Sequence, residues 1–243
     1  MQVGYATHAI DTLPGAVRVD ELWDLDVAGV GRSGRLLLTS SATLSRRVEL
    51  REAQVGVPRG RIRLDVGADS SVRGVVPRVG RPGADTTTTA SGAVPTLPST
   101  LALELMASGE LRVGRSVRVA LVDPVTARPA VVALRLAAES TFTIPDSVVY
   151  DSATRRWSAV RSERLPGWRL QPDGPAPPWH AWVDAQGQVI DAELPFGLRL
   201  TRTMYELAKD NYRADSAPPD RAAAAALAPF LAWIGAEPPK ERR

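Results

Sequence analysis

Residues 182–212 read WVDAQGQVIDAELPFGLRLTRTMYELAKDNY. The order is strand, turn, strand, turn, strand, short helix. Asp184-Ala185-Gln186-Gly187 has the composition of a tight turn, with glycine where a positive φ is needed. Residues 187–194 form the return strand. Pro195-Phe196-Gly197 turns the chain again, and residues 198–203 are the last strand. Thr203 is placed to cap the helix MYELAKDNY, with Glu206 three residues on as in a capping box.

Upstream, residues 16–27 alternate. Val17, Val19, Glu21, Trp23, Leu25 and Val27 share one face, and Arg18, Asp20, Leu22, Asp24 and Asp26 the other. That period predicts a half-buried strand. It pairs with GYATHAI across Leu13-Pro14-Gly15 as an antiparallel hairpin. The string GVGRSG at 29–34 resembles a dinucleotide fingerprint in spacing only. A strand follows it, not a helix, so it reads as a hairpin loop. Short strands broken by Gly or Pro continue at 35–44, 45–57, 60–67 and 71–76.

Residues 77–96, rich in Gly, Pro and Thr, read as a mobile loop. Residues 98–108 are the one internal helix, with Ser99 or Thr100 as cap and Leu101, Leu105 and Met106 as its apolar stripe. Strands follow at 115–122 and 129–139 across the turn Asp123-Pro124-Val125-Thr126. A further hairpin joins 147–150 to 157–163 across residues 151–154. Residues 171–178, QPDGPAPP, form a stiff loop. Periodicity therefore predicts a mainly β domain over 1–212: one large antiparallel sheet of about 10–12 strands with one internal helix. A linker at 213–219 leads to a C-terminal helical tail, 220–243, interrupted at Pro229.

The 243-residue chain carries a net charge of +3, has no cysteine, and draws its positive charge almost wholly from arginine. Thiolate chemistry and disulfides are excluded. The arginines look scattered, so no nucleic-acid surface is expected. No run of about 18 apolar residues exists to form a spanning helix. Met1 leads directly into the first strand, with no basic-then-apolar leader in the given chain, which leaves two expectations open: a cytosolic protein, or a targeting segment outside the given sequence.

Two longer segments carry a resemblance. They are LPSTLALELMASGELRVGRSVRVALVDPVT and AWVDAQGQVIDAELPFGLRLTRTMYELA. Together they resemble the β-rich domain that precedes the catalytic domain of some bacterial transglutaminase-like proteins. Gly109 to Pro124 follows that family's step from a short helix into a strand ending in Asp-Pro. Trp182, Val183, Asp184, Gly187, Gly197, Leu198, Arg202, Thr203, Glu206 and Ala208 match its closing hairpin and helix start. The resemblance implies a curved half-barrel, similar to lipoprotein carriers, and a peripheral place in the periplasm or cell envelope. It also implies an accessory role without catalysis, because the Cys-His-Asp domain of the multidomain relatives is missing here.

The candidate chemistry is sparse. His8 and His180 have no acidic neighbours at metal-ligand spacing. Asp24 and Asp26 read as a solvated strand face. No nucleophile elbow, P-loop or zincin motif occurs, so neither an enzyme nor a cofactor is expected. Alternation places Leu198, Leu200 and Arg202 on one face. If that face is concave, Arg202 needs Glu193 or Glu206 as its partner, or meets an anionic ligand. Trp23, Leu25, Leu101, Leu105, Trp182 and Arg202 are the candidate lining of a groove for a lipid or other hydrophobic ligand; the alternative is that the helix plugs it. Phe230, Leu231, Trp233 and Ile234 form an apolar knot in the tail that docks on a protein partner, a membrane surface or the protein's own sheet. The expected function is a non-catalytic accessory subunit of a larger, membrane-associated assembly, with hydrophobic-ligand carriage as the alternative.

Overall fold

The computed structural model describes residues 4–26, 35–58, 60–78, 82–174, 179–210, 212 and 221–234. The string at 29–34 and the linker at 213–219 lie outside them, as does the tail beyond residue 234. The protein is mainly β, as expected, with 61% of residues in strands. Its fourteen strands form two sheets of seven instead of one continuous sheet, and no barrel closes.

The first sheet is an antiparallel meander in chain order. It contains β1 (Gly4–Leu13), β2 (Ala16–Asp26), β3 (Arg35–Ser45), β4 (Leu50–Val57), β5 (Gly60–Val66), β6 (Ser71–Pro77) and β7 (Ala84–Ala90). The second contains β8 (Pro95–Thr96), β9 (Ser116–Val122), β10 (Pro129–Asp151), β11 (Arg156–Pro172), β12 (His180–Val183), β13 (Val189–Glu193) and β14 (Arg199–Thr201). It is antiparallel except where β8 runs parallel to β9.

Several boundaries differ from the sequence expectation. Within the expected mobile loop 77–96, residues 84–90 form β7, which pairs with β6 from Ala84↔Pro77 to Ala90↔Ser71, and β8 follows. The four threonines at 86–89 favour strand through β-branching, and an edge strand needs few apolar side chains. Residues 129–139 and 147–150 belong to one 23-residue strand, β10. Pro145 lies within β10 beside a register shift, where β10 has a strand partner on one side only, a setting in which proline is tolerated. The closing helix is a single π-helical turn, Glu206–Asp210.

The internal helix α1 (Leu101–Ala107) joins the two sheets. Leu101, Ala102, Leu103 and Leu105 are all buried. Leu103 enters the first sheet's core with Leu44, Leu64 and Val72. Leu101 and Leu105, one turn apart on the other side of the helix, pack with Leu134, Leu136 and Leu170 of the second. A seven-residue helix is too short to persist alone, so burial on both sides holds it, at about 1.5–3 kcal/mol per leucine.

The β9–β10 turn makes a second junction. Asp123 Oδ1 accepts the N–H groups of Val125 at 2.7 Å and Thr126 at 3.2 Å, as its composition predicts. Ala127 then enters the first sheet's core, fully buried. The third junction is the C-terminal helix α2 (Arg221–Trp233). Leu227, Phe230, Leu231 and Ile234 pack with Leu25 and Leu38 of the first sheet and Val125 of the β9–β10 turn.

The opening stretch closes on α1. The turn after β12 has φ +74° at Gly187, and a Cβ there would lie 2.7 Å from Leu103 Cα and 2.8 Å from Leu103 N. Gly197 also has a positive φ, +73°, but nothing within 4 Å of the Cβ position. Gly187→Ala is therefore expected to cost about 2 kcal/mol more than Gly197→Ala, since only the first adds a clash with rigid backbone to the strain of positive φ. Denaturant unfolding of the two variants measures the difference, and equal losses would show that the turn does not seat on the helix.

Candidate functional site

The expected groove is filled. Leu101 and Leu105 lie beneath the second sheet as core. Leu25 is buried, and Trp23 stacks on Phe230 of α2 with ring centroids 6.3 Å apart and planes 21° from parallel. Trp182 meets Phe142 edge-on at 5.1 Å. These residues do not converge on an open concavity. Leu101 and Leu105 pack as the alternative of a plugging helix has them.

Arg202 has a partner, but neither Glu193 nor Glu206. Its Nη1 donates to Asp184 Oδ2 at 2.6 Å. Asp184 is only 2% exposed, and its Oδ1 accepts the N–H groups of Gln186 and Gln188, each at 2.9 Å. One carboxylate thus braces the turn on α1 and neutralises Arg202, which leaves little of Arg202 for an anionic ligand. Asp191 is held likewise by Arg199 at 3.0 and 3.1 Å and by the Thr201 hydroxyl at 3.0 Å. Glu193 faces His180 across β12–β13 at 3.8 Å. His8 is cross-strand to Glu21 in the first sheet, so the two histidines sit in different sheets. No group of three metal-ligating side chains occurs among the described residues. Asp24, expected on a solvated face, is buried at 4% exposure.

The tail's apolar knot faces inward. Phe230, Leu231 and Ile234 are buried against the protein's own strands, so docking on its own sheet is the alternative realised. Trp233 is 37% exposed and touches the Phe230 ring at 5.9 Å.

The most prominent unburied element is the β10–β11 hairpin. β9 accompanies β10 only from Pro129 to Arg135, and β12 accompanies β11 only from Trp168 to Leu170. Beyond those points each strand has only the other. Ile144 is the last core residue on β10, and residues 156–164 are exposed apart from Trp157. An isolated two-stranded ribbon is marginal in water. This one is braced by cross-strand pairs. Tyr150 and Trp157 are in register with rings 5.3 Å apart, Val148 opposes Ala159, and Arg161 Nε contacts both Asp146 oxygens at 2.9 and 3.0 Å. Register shifts at residues 145–148 add twist.

The ribbon carries exposed apolar surface: Val149 at 50%, Tyr150 at 48% and Val160 at 63% exposure. Its outer part, residues 147–164, has four arginines against two carboxylates. The sequence showed a hairpin here but not its length, and offered no signal that the flanking strands stop short.

α1 carries an acidic side chain, Glu104, in its first turn. Burial pushes the Glu104 carboxyl up to about 8; the Thr100 hydroxyl, 2.5 Å away, opposes the rise and the Glu49 charge adds to it. Burial also raises Glu21 to about 7.

No family model and no curated protein matches the chain. Two solved structures are similar to it. A DUF1089 family protein from Pseudomonas aeruginosa shares 16% identity, with TM-score 0.39, covering 82% of this chain and 92% of that one. A beta-barrel-like protein of the domain of unknown function DUF1849, from Brucella abortus, shares 11% identity, with TM-score 0.46, covering 78% of this chain and 80% of that one. Identities at this level carry no functional reading.

Glu104 gives a pH signature. Its folded-state value lies above the ordinary 4.5, so the native state holds the proton more tightly than the unfolded chain does. That contribution is fully present below pH 4.5 and is lost as pH rises towards about 8. Glu104→Gln keeps a group able to bond Thr100 and removes the titration. The variant's stability advantage over the wild-type protein is expected to grow by about 1–3 kcal/mol between about pH 5 and pH 8. Thermal unfolding across that range is the check, and a pH-independent difference would mean the carboxyl is solvated and charged throughout.

Proposed function

We propose that the protein is a non-catalytic accessory subunit that binds a protein partner through the projecting β10–β11 ribbon. The observation that carries this reading is the ribbon's geometry. Two strands of 23 and 17 residues run well past their neighbours and expose Val149, Tyr150 and Val160 on an element with free main-chain edges. Unpaired strand edges and exposed apolar side chains are a liability unless a partner covers them. The exposed Val149, Tyr150 and Val160 select a partner surface with an apolar centre.

The filled interior supports binding from the outside over carriage within. An envelope setting beside a membrane assembly rests on the resemblance to transglutaminase-associated domains alone. No helix among the described residues is long and apolar enough to cross a membrane.

The test replaces residues 148–159 by a two-residue Asn-Gly turn. β9, β12 and both cores do not touch the removed segment, so the variant is expected to fold with little loss of stability. Native mass spectrometry of protein isolated from its own host should show a protein complex with the full chain and free subunit with the shortened one. Cross-links from the full chain should map to the ribbon. A complex that survives shortening would refute the ribbon as docking element. A lipid of a few hundred daltons co-isolated with both forms would favour the carrier function instead.

A further inference from the structure

A second feature lies at the opposite sheet. Because Ala16 pairs with Ser45, the β1–β2 turn and the β3–β4 turn lie side by side. Between them is an open cleft of about 420 Å³, bordered by Gly15, Ala16, Arg46, Arg47, Glu49 and Arg51. The three arginines are exposed, and among the described residues none has an ion-pair or side-chain hydrogen-bond partner. By contrast Arg18, Arg78, Arg115, Arg161, Arg199 and Arg202 each meet a carboxylate within 4.0 Å. Glu49 is the single carboxylate bordering the cleft, and its Oε2 receives the Ser45 hydroxyl at 3.4 Å.

The turn that presents the arginines is rigid. Ser45 Oγ accepts the N–H groups of Arg47 at 3.1 Å and Glu49 at 3.2 Å, and Ser45 O accepts the Val48 N–H at 2.9 Å. Val48 has φ +63°, a left-handed conformation that costs a β-branched residue about 1–3 kcal/mol. Its side chain packs against the first sheet's core, which holds it there. Across the cleft, Gly15 turns the chain at φ +82°, and the Cβ it lacks would stand 3.8 Å from Arg46 Nε, an ordinary contact distance.

We infer that this cleft binds a phosphate-bearing ligand through Arg46, Arg47 and Arg51. Guanidinium forks match phosphate oxygens in pairs, and Arg46 and Arg47 on the turn and Arg51 at the start of β4, with Glu49 as the one carboxylate among them, lose their mutual repulsion when a dianion enters. A cleft of this size holds a phosphate headgroup with part of what it is attached to. The site is separate from the ribbon and does not depend on partner binding there.

Calorimetric titration with pyrophosphate, and co-sedimentation with phosphatidylglycerol vesicles against phosphatidylcholine vesicles, distinguish a free phosphate compound from a lipid headgroup. The triple variant R46Q/R47Q/R51Q is compared with R63Q/R73Q/R118Q, which removes three exposed arginines elsewhere. Thermal unfolding confirms that both fold. The expected result is binding of at least one probe by the wild-type protein and the control, weakened about ten-fold or more in the cleft variant. Pyrophosphate binding identifies a soluble ligand, and vesicle binding alone identifies the headgroup. Equal weakening in both triple variants, or no binding of either probe, overturns the assignment.

Discussion

The fold depends on α1 being wedged between two sheets. Seven residues supply leucines to both cores, Leu103 to one and Leu101 and Leu105 to the other. Neither sheet closes on itself, so each has an apolar face that must be covered. The helix covers part of both, the Ala127 turn enters the first, and α2 seals Leu25, Leu38 and Val125. Gly187 and the Asp184–Arg202 pair then lock the closing hairpin onto the helix backbone. An architecture that looks suited to enclosing a ligand is thereby filled with its own side chains.

That filling moves the working surfaces outward. Phe230, Leu231 and Ile234 of the tail pack on the first sheet, and Leu25, Leu101 and Leu105 of the predicted groove are core. The ribbon and the arginine cleft remain exposed. Each has an internal brace that the fold alone does not require: the Tyr150–Trp157 pair with the Asp146–Arg161 bridge in one case, the left-handed Val48 and Ser45 Oγ in the other. Elements held rigid at the surface meet a ligand with little ordering cost.

The sequence was most legible where structure is local. The turns at Asp184–Gly187 and Asp123–Thr126, the helix near Leu101 and the early hairpin follow from side chains acting within a few residues. It was least legible where non-local facts decide. Residues 129–139 and 147–150 read as separate strands, although one strand runs through both. The threonine run at 86–89 reads as loop because an edge strand needs no apolar pattern. Arg202 was matched to Glu193 or Glu206 because Asp184 already had a turn to explain, although its two oxygens serve both purposes. The apolar stripe of α2 looks the same whether it docks on its own sheet or another chain. Arg46, Arg47 and Arg51 looked scattered because their convergence needs the β3–β4 turn and its neighbour.

The account stands on α1 being core and not a removable plug. Native-state hydrogen exchange at the Glu104 and Ser108 amides, which donate to Thr100 O and Glu104 O at 3.0 Å, tests this directly. If the helix is core, these amides exchange only through global unfolding, with the same free energy and denaturant dependence as the slowest amides of β4 and β10. Exchange through a local opening several kcal/mol below the global value, with little denaturant dependence, would show a helix that leaves its seat and a groove that opens beneath it.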